Sequence, residues 1–265
     1  MQITSPANQQ VKWAHRVREG KEPALILVEG ERLVEECLSA GLELQASFYL
    51  PSSRKRLAAL LDQLQHRQCP IYETGQTAFS MITDTVTSQG IAVIASRPMH
   101  TPEDLFYPRH GHPPLIVGLD QMADPGNLGT IIRTAEGAGA SGVVALPGSA
   151  NAFSPKTLRA SMGSAFRLPV LTGLDLDQLL VISRSYQLQL IAAAVDGALE
   201  YTAFDWRAPA LIFLGNEAHG LSQEVHDACA IRVRVPLHPP VESLNVAAAA
   251  AALLFEAARQ RRQVS

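Results

Sequence analysis

The stretch LIFLGNEAHGLSQEV, residues 211–225, decides how this chain folds. Its first four residues are apolar without interruption. A run that short and that continuous fits a strand covered on both faces, as in a parallel sheet sandwiched between helices. Gly215 ends the run and delivers Asn216 and Glu217 at the strand's carboxyl end. Open α/β sheets place their ligands at such ends, and backbone can approach a ligand closely at a glycine.

The same texture recurs outward from this segment. LIVGL (115–119), GVVALP (142–147) and LQLIAAAV (188–195) are further apolar runs. IRVRVP (231–236) alternates arginine with apolar residues and predicts a strand with one wet face, at a sheet edge. Helical patterns lie among these runs at Gly126–Glu136, Ser154–Ser161, Leu176–Ser185, briefly after Ser222, and from Val246 to Arg262. The alternation predicts a single-sheet α/β domain. Upstream, Ser5–Ser96 mixes strands at 25–30, 46–51 and 90–96 with helices near Glu31–Ala40 and Lys55–Arg67, which reads as a smaller α/β module. Between the two, RPMHTPEDLFYPRHGHPP carries five prolines and reads as an exposed linker.

Composition narrows the function classes. The 265 residues are 47% hydrophobic and 18% charged, a globular composition rather than a disordered or coiled-coil one. The net charge of -3 excludes a generally basic, nucleic-acid-coating surface. Any such role must rest on local patches, namely Arg16, Arg18 and Lys21, and the run Arg54-Lys55-Arg56. No apolar run approaches the roughly 18 residues that span a bilayer, and MQITSPANQQVKW lacks the apolar core of a signal peptide. Cys37, Cys69 and Cys229 are scattered without CxxC spacing, which predicts buried thiols and neither a disulfide framework nor a metal site. The expectation is a cytoplasmic protein. GAGASG (137–142) matches the dinucleotide fingerprint GxGxxG, but it follows a helix and precedes a strand. That order predicts a helix C-cap and turn, and argues against an NAD-dependent oxidoreductase.

Two more segments gather polar residues at strand ends. In LDQMADPGNLGTIIRTAEGAG (119–139), turn and capping roles account for Asp124, Pro125, Gly126 and Asn127, but not for Arg133 behind two isoleucines. In VRVPLHPPVESLNVAAAAAALLF (233–255), Ser243 or Asn245 alone would cap the last helix, so both together are surplus. The alanine run would let a neighbouring backbone come close.

Taken together, DPGNLGTIIRTAEGAG, LIFLGNEAHGLS and VRVPLHPPVESLNVAAAAAALLFE resemble, in order and spacing, the three signature motifs of the SpoU/TrmH branch of the SPOUT methyltransferases. SPKTLRASMGSAFRLPV (154–170) is similar to the family's segment between the first two motifs. SPANQQVKWAHRV and LVEGERLVEECLSAG resemble the ribosomal-protein-L30e-like substrate domain that precedes many members. The resemblance implies an α/β-knot fold with a mainly parallel sheet and a deep C-terminal trefoil knot, behind a small L30e-like α/β domain. Its divisions would be an RNA substrate-binding domain over 1–97, a linker over 98–113 and a catalytic domain over 114–265. It implies S-adenosylmethionine as cofactor, 2′-O-methylation of a ribose in RNA, and a homodimer. The front domain favours rRNA over tRNA, with a guanosine or uridine of 23S rRNA as target. Carried over by position, Asn127, Arg133, Glu217, Ser243 and Asn245 would be catalytic, and Leu214, Gly215, Val235, Leu237 and Leu244 would bind cofactor. A tRNA 2′-O-methyltransferase and a non-catalytic RNA-binding scaffold of the same fold stay open as alternatives.

Overall fold

The computed structural model describes residues 1–85, 87–108 and 111–263. Val86, Val264 and Ser265 of the expected domains, and Arg109 and His110 of the expected linker, lie outside the described residues. The chain forms two compact units, one of Met1–Met99 with Phe153–Arg167, the other of His100–Ala152 with Leu168–Ser265.

The first unit runs β1 (Gln2–Ile3), α1 (Gln9–Arg18), β2 (Leu25–Glu29), α2 (Glu31–Ser39), β3 (Leu44–Tyr49), α3 (Ala58–His66), β4 (Ile71–Thr74), α4 (Gln76–Ile82) and β5 (Ile91–Ser96). The sheet order is β1-β4-β3-β5-β2, with β5 antiparallel to β2 and β3 and the other pairs parallel. Val11, Ala14 and Val17 of α1 form one buried stripe that packs with Phe48, Phe79, Ile82 and Ile94. The side chain of Asn8 accepts from the Gln10 amide and starts α1. Both basic patches are largely engaged within the unit. Arg16 pairs with Glu22 and Arg54 with Glu73, Arg56 pairs with Glu31, and Arg18 donates to the carbonyls of Met81 and Thr83.

Two later helices belong to this unit although their sequence neighbours belong to the other: α6 (Pro155–Ser161) and α7 (Ser164–Arg167). Helix α6 packs on β2. Arg159 donates to Asp84 at 2.7 Å and reaches the buried Glu29 at 3.5 Å. Burial pushes the Glu29 carboxyl above the usual range, opposed by the Thr85 hydroxyl and the Arg159 charge. Arg167 pairs with Glu36, and the Arg97 guanidinium lies 4.2 Å from the Phe153 ring centre.

The second unit contains β6 (Leu115–Leu119), α5 (Pro125–Gly137), β7 (Gly142–Ala145), β8 (Val170–Thr172), α8 (Leu176–Ser185), β9 (Gln189–Ala193), β10 (Leu199–Glu200), β11 (Ala210–Leu214), α9 (Gln223–Ala228), β12 (Ile231–Arg234) and α10 (Val246–Arg262). Its seven strands pair in the order β10-β12-β9-β11-β6-β7-β8, all parallel, as the apolar runs predict. The α/β architecture with a parallel sheet is therefore present. GAGASG is a C-cap and turn: Ala138 caps α5 and Gly139 has φ +78°.

Two expectations need correction. Strand β12 is not the sheet edge, because the two-residue β10 pairs outside it, a strand too short to leave a pattern in sequence. The proline-rich segment is not simply exposed. Leu105 and Phe106 are buried, Leu105 against the glycine at 142 and Phe106 stacked on Tyr186 with ring centres 3.7 Å apart. The two apolar residues anchor a 3-10 turn over Pro102–Phe106, which prolines favour at its start.

All three cysteines are buried and free, and desolvation pushes the Cys37 and Cys229 thiols up to about 12, far from thiolate reactivity. Among the described residues, no helix is long and apolar enough to cross a membrane, and no group of three or more His, Cys, Asp or Glu side chains could hold a metal ion.

Candidate active site

The carboxyl ends of β9, β11 and β12 and the first turns of α10 surround a cavity of about 400 Å³. This is where the sheet rule places a ligand, and the volume lies within the roughly 300–1,000 Å³ of small-molecule sites. Leu214, Gly215, Val235, Leu237 and Leu244 all line it, as do Glu217 and Ser243. Its walls combine aliphatic side chains with the polar groups of Asp196, Asn216, Glu217, His219, His226 and Ser243, a mixture that suits a part-apolar, nucleoside-sized molecule.

The corner after β11 is built by backbone. The Asn216 amide donates to the Gly220 carbonyl and the Gly220 amide donates back to Asn216, both at 2.9 Å. A Cβ on Gly215 would lie 2.3 Å from the Gly220 carbonyl carbon and oxygen, so only glycine permits this closure. The Asn216 side chain secures the corner, donating to the Gln121 carbonyl at 2.9 Å and accepting from the Ala218 amide at 2.8 Å. Asn216 is therefore a builder of the loop, and Glu217 beside it is left exposed.

Three motif residues from distant parts of the chain meet here. Asp124 caps α5 and accepts from the Asn127 amide at 2.8 Å, which orients the first turn. The Asn127 side-chain nitrogen donates to the Glu217 carboxylate, and its oxygen accepts from the Asn245 side-chain nitrogen at 3.1 Å. The Asn245 oxygen accepts from the amides of Ala247 and Ala248 at 3.0 and 3.3 Å. One residue thus caps α10 and joins the polar chain, while Ser243 is released from capping and faces the cavity. That division explains the surplus of polar groups before the alanine run.

Arg133 is not part of this cluster. It is exposed on α5, and among the described residues no hydrogen bond or ion pair engages it. Six residues beyond Asn127 on a helix of 3.6 residues per turn, it points about 120° away from that side chain. Asp196, His226 and His219 also line the cavity. Of these, Asp196 ends the run at 188–195 and is open to the same strand-end rule, but an Asp-Gly pair by itself reads as an ordinary turn.

Comparison with known proteins agrees with this geometry. The family model described as SpoU rRNA Methylase family matches residues 114–255, and one described as MRM3-like substrate binding domain matches residues 8–93. The 23S rRNA (guanosine(2553)-2'-O)-methyltransferase RlmP of Bacillus subtilis is 34% identical over 258 residues, 96% of this chain and 98% of that protein. An uncharacterised tRNA/rRNA methyltransferase of Synechocystis sp. is 32% identical over 265 residues, 98% of this chain and 94% of that protein. A crystal structure of an AdoMet-bound rRNA methyltransferase from Sinorhizobium meliloti superposes with a TM-score of 0.83 at 30% identity, covering 98% of this chain and 97% of that one. With its cavity at the carboxyl edge of a parallel sheet and the family model spanning that whole region, this chain belongs to the SpoU rRNA methylase family.

Proposed function

We propose that the protein transfers a methyl group from S-adenosylmethionine to the 2′-oxygen of a ribose in rRNA, with 23S rRNA as substrate. The observation that carries this reading is the cavity at the carboxyl ends of β9, β11 and β12. All five positions matched to cofactor binding line it, and it borders the Asn127–Glu217–Asn245 chain. The rRNA target follows the Bacillus subtilis relative and the match of residues 8–93 to a substrate-binding domain. The test is incubation with labelled S-adenosylmethionine and separated 23S rRNA, 16S rRNA and tRNA, followed by mapping of 2′-O-methyl sites. Label confined to tRNA would overturn the rRNA assignment, and no label in any RNA would favour the scaffold.

The cofactor when bound supplies an electrophilic methyl on a sulfonium, and the chain's residues must do the rest. Gly215 and the backbone near Leu237 and Leu244 would hold it and present its methyl to the attacking oxygen, a positioning task suited to rigid backbone. The ribose hydroxyl must lose its proton as it attacks. Guanidinium does not deprotonate in proteins, so Arg133 acts as a cation, holding the target's phosphate and steadying developing alkoxide charge. Asn127, Glu217, Ser243 and Asn245 orient the ribose.

We read residues 1–97 as the RNA substrate-binding domain, 98–113 as the connection and 114–265 as the catalytic domain, acting in the cytoplasm. The C-terminal trefoil knot is part of the same proposal. In its support, the chain leaves β12 near one side of the sheet and returns to pack α10 on α5, which follows the interior strand β6. A homodimer is proposed because Arg133 is exposed and does not line its own cavity, while Phe255 is 49% exposed on α10 beside α5. In that arrangement Arg133 serves the partner's site. Co-expressing Arg133→Ala with Glu217→Ala chains is then expected to restore about a quarter of wild-type activity, since half of the dimers mix and each has one intact site. Each variant alone should be nearly inactive. No recovery on mixing would place Arg133 in its own subunit's site. Arg133→Lys keeping most of the rate at saturating RNA would remove the role of the planar guanidinium.

A further inference from the structure

The turn that closes β9 is held on three sides. The Ala194 amide donates to the Val233 carbonyl at 3.0 Å, and the Gly197 amide donates to the Ala194 carbonyl at 3.1 Å. Arg234 donates to the Gly197 carbonyl at 2.8 Å. A Cβ on Gly197 would lie 2.7 Å from the Val233 carbonyl carbon, so the turn is pressed flat on β12. The residue this rigid turn presents is Asp196, which lines the cavity. Among the described residues no hydrogen bond or ion pair engages its carboxylate, and Arg234, the cation nearest in the pairing pattern, reaches Glu200 instead.

The cavity's polar groups fall into two sets. Asn216, Glu217, His219 and Ser243 lie toward β11 and the polar chain that leads to Asn127. Asp196 lies at the end of β9, the next strand over, and α9 packs on β9 to bring His226 to the same wall. Neighbouring strands are about 4.8 Å apart, so Asp196 is set off from the reacting end by a strand spacing. The Asp196 carboxylate is exposed where it borders the cavity, on a turn fixed by backbone bonds, and is open to a ligand group that donates two hydrogen bonds side by side. A vicinal diol does so, and a carboxylate can accept both.

We propose that Asp196 recognises the ribose of the bound cofactor, its carboxylate accepting both hydroxyl protons of the 2′,3′-diol. This rests on the reading that the cavity holds S-adenosylmethionine, and the two can fail separately. The test measures binding by calorimetry to the full-length protein and to Asp196→Ala. Three probes are used: S-adenosylhomocysteine, its 3′-deoxyadenosyl analogue, and 5′-methylthioadenosine, which keeps the diol and lacks the amino-acid end. Loss of hydrogen bonds to a charged acceptor is expected to weaken S-adenosylhomocysteine and methylthioadenosine alike by about tenfold or more in the variant. The deoxy analogue should lose markedly less, because its diol is already broken, and the thermal midpoint should be unchanged. Equal losses for all three probes would overturn the proposal. So would a loss confined to S-adenosylhomocysteine and its deoxy analogue, since Asp196 would then be reading the amino group. If the wild-type protein binds none of them, the cofactor reading falls as well.

Discussion

Gly215→Ala is expected to lower the affinity for S-adenosylmethionine by about a hundredfold, the equivalent of about 3 kcal/mol, the upper end of overpacking costs. The atoms an added methyl would meet are the Gly220 carbonyl and the Leu221 amide nitrogen, at 2.3 and 2.4 Å. They are backbone, and no rotamer change moves them. Relief requires opening the paired hydrogen bonds between Asn216 and Gly220, which shape one wall of the cavity. Gly137→Ala is the matched control. The glycine at 137 ends α5, and the closest atom to an added methyl is the Phe255 ring at 3.9 Å. That substitution should leave cofactor affinity unchanged. Titration calorimetry of both variants decides the matter, and wild-type affinity in Gly215→Ala would remove this corner from the binding wall.

The largest loss of stability is expected at Arg261. Its side chain is 4% exposed and donates to four backbone carbonyls: Trp206 at 2.7 Å, Pro113 at 2.5 Å, Pro114 at 3.3 Å and Ala208 at 2.8 Å. Burial lowers its pKa to about 10, so it still carries charge at neutral pH. Desolvating that charge is unfavourable, and only the fan of carbonyls offsets it. Arg261→Met takes this donor from the Trp206, Pro113 and Ala208 carbonyls at the junction of α10, the entry to β6 and the entry to β11, while the Pro114 carbonyl keeps the Ala210 amide at 3.0 Å. A cost of about 3–5 kcal/mol is expected, which lowers the melting temperature by roughly 10 °C in a unit of this size. Arg261→Lys should recover little, because one ammonium cannot reach acceptors arrayed around a planar fork. Calorimetric melting reads the result, and an Arg261→Met midpoint within about 2 °C of wild type would contradict it.

Arg261 also marks where sequence reasoning stops. From the sequence it is one of several cations in the last turn of a helix, and nothing local distinguishes it from Arg259, which pairs with Glu256 on the surface. Legibility elsewhere follows the same physics. The central strands were readable because burial on both faces demands uninterrupted apolar residues, and β6 begins and ends where its run does. Helix α1 escaped because its buried stripe is three small or medium residues among glutamines and cations. Strand β4, with Tyr72 and Glu73 only half-buried, shows neither a run nor a clean alternation. At the site, the motif spacing marks Asn127, Glu217 and Asn245 individually. That Asn245 would cap a helix with its oxygen and hold Asn127 with its nitrogen depends on two segments 118 residues apart in sequence. No local pattern carries that. Capping leaves Arg133 unexplained in the sequence, and the structure gives it no partner in its own cluster.

The excursion of residues 153–167 has a consequence for how the protein must be made. A chain emerging from the ribosome would ordinarily complete its first module before the second begins. Here the first unit lacks α6, α7 and the partners of Glu29, Asp84 and Glu36 until residue 167 has been synthesised. By then β6, α5 and β7 have already emerged. The two units therefore share a schedule as well as a chain. Cutting the gene after residue 97 would yield a front fragment missing two of its helices, and a back fragment carrying a segment with nothing of its own to fold against.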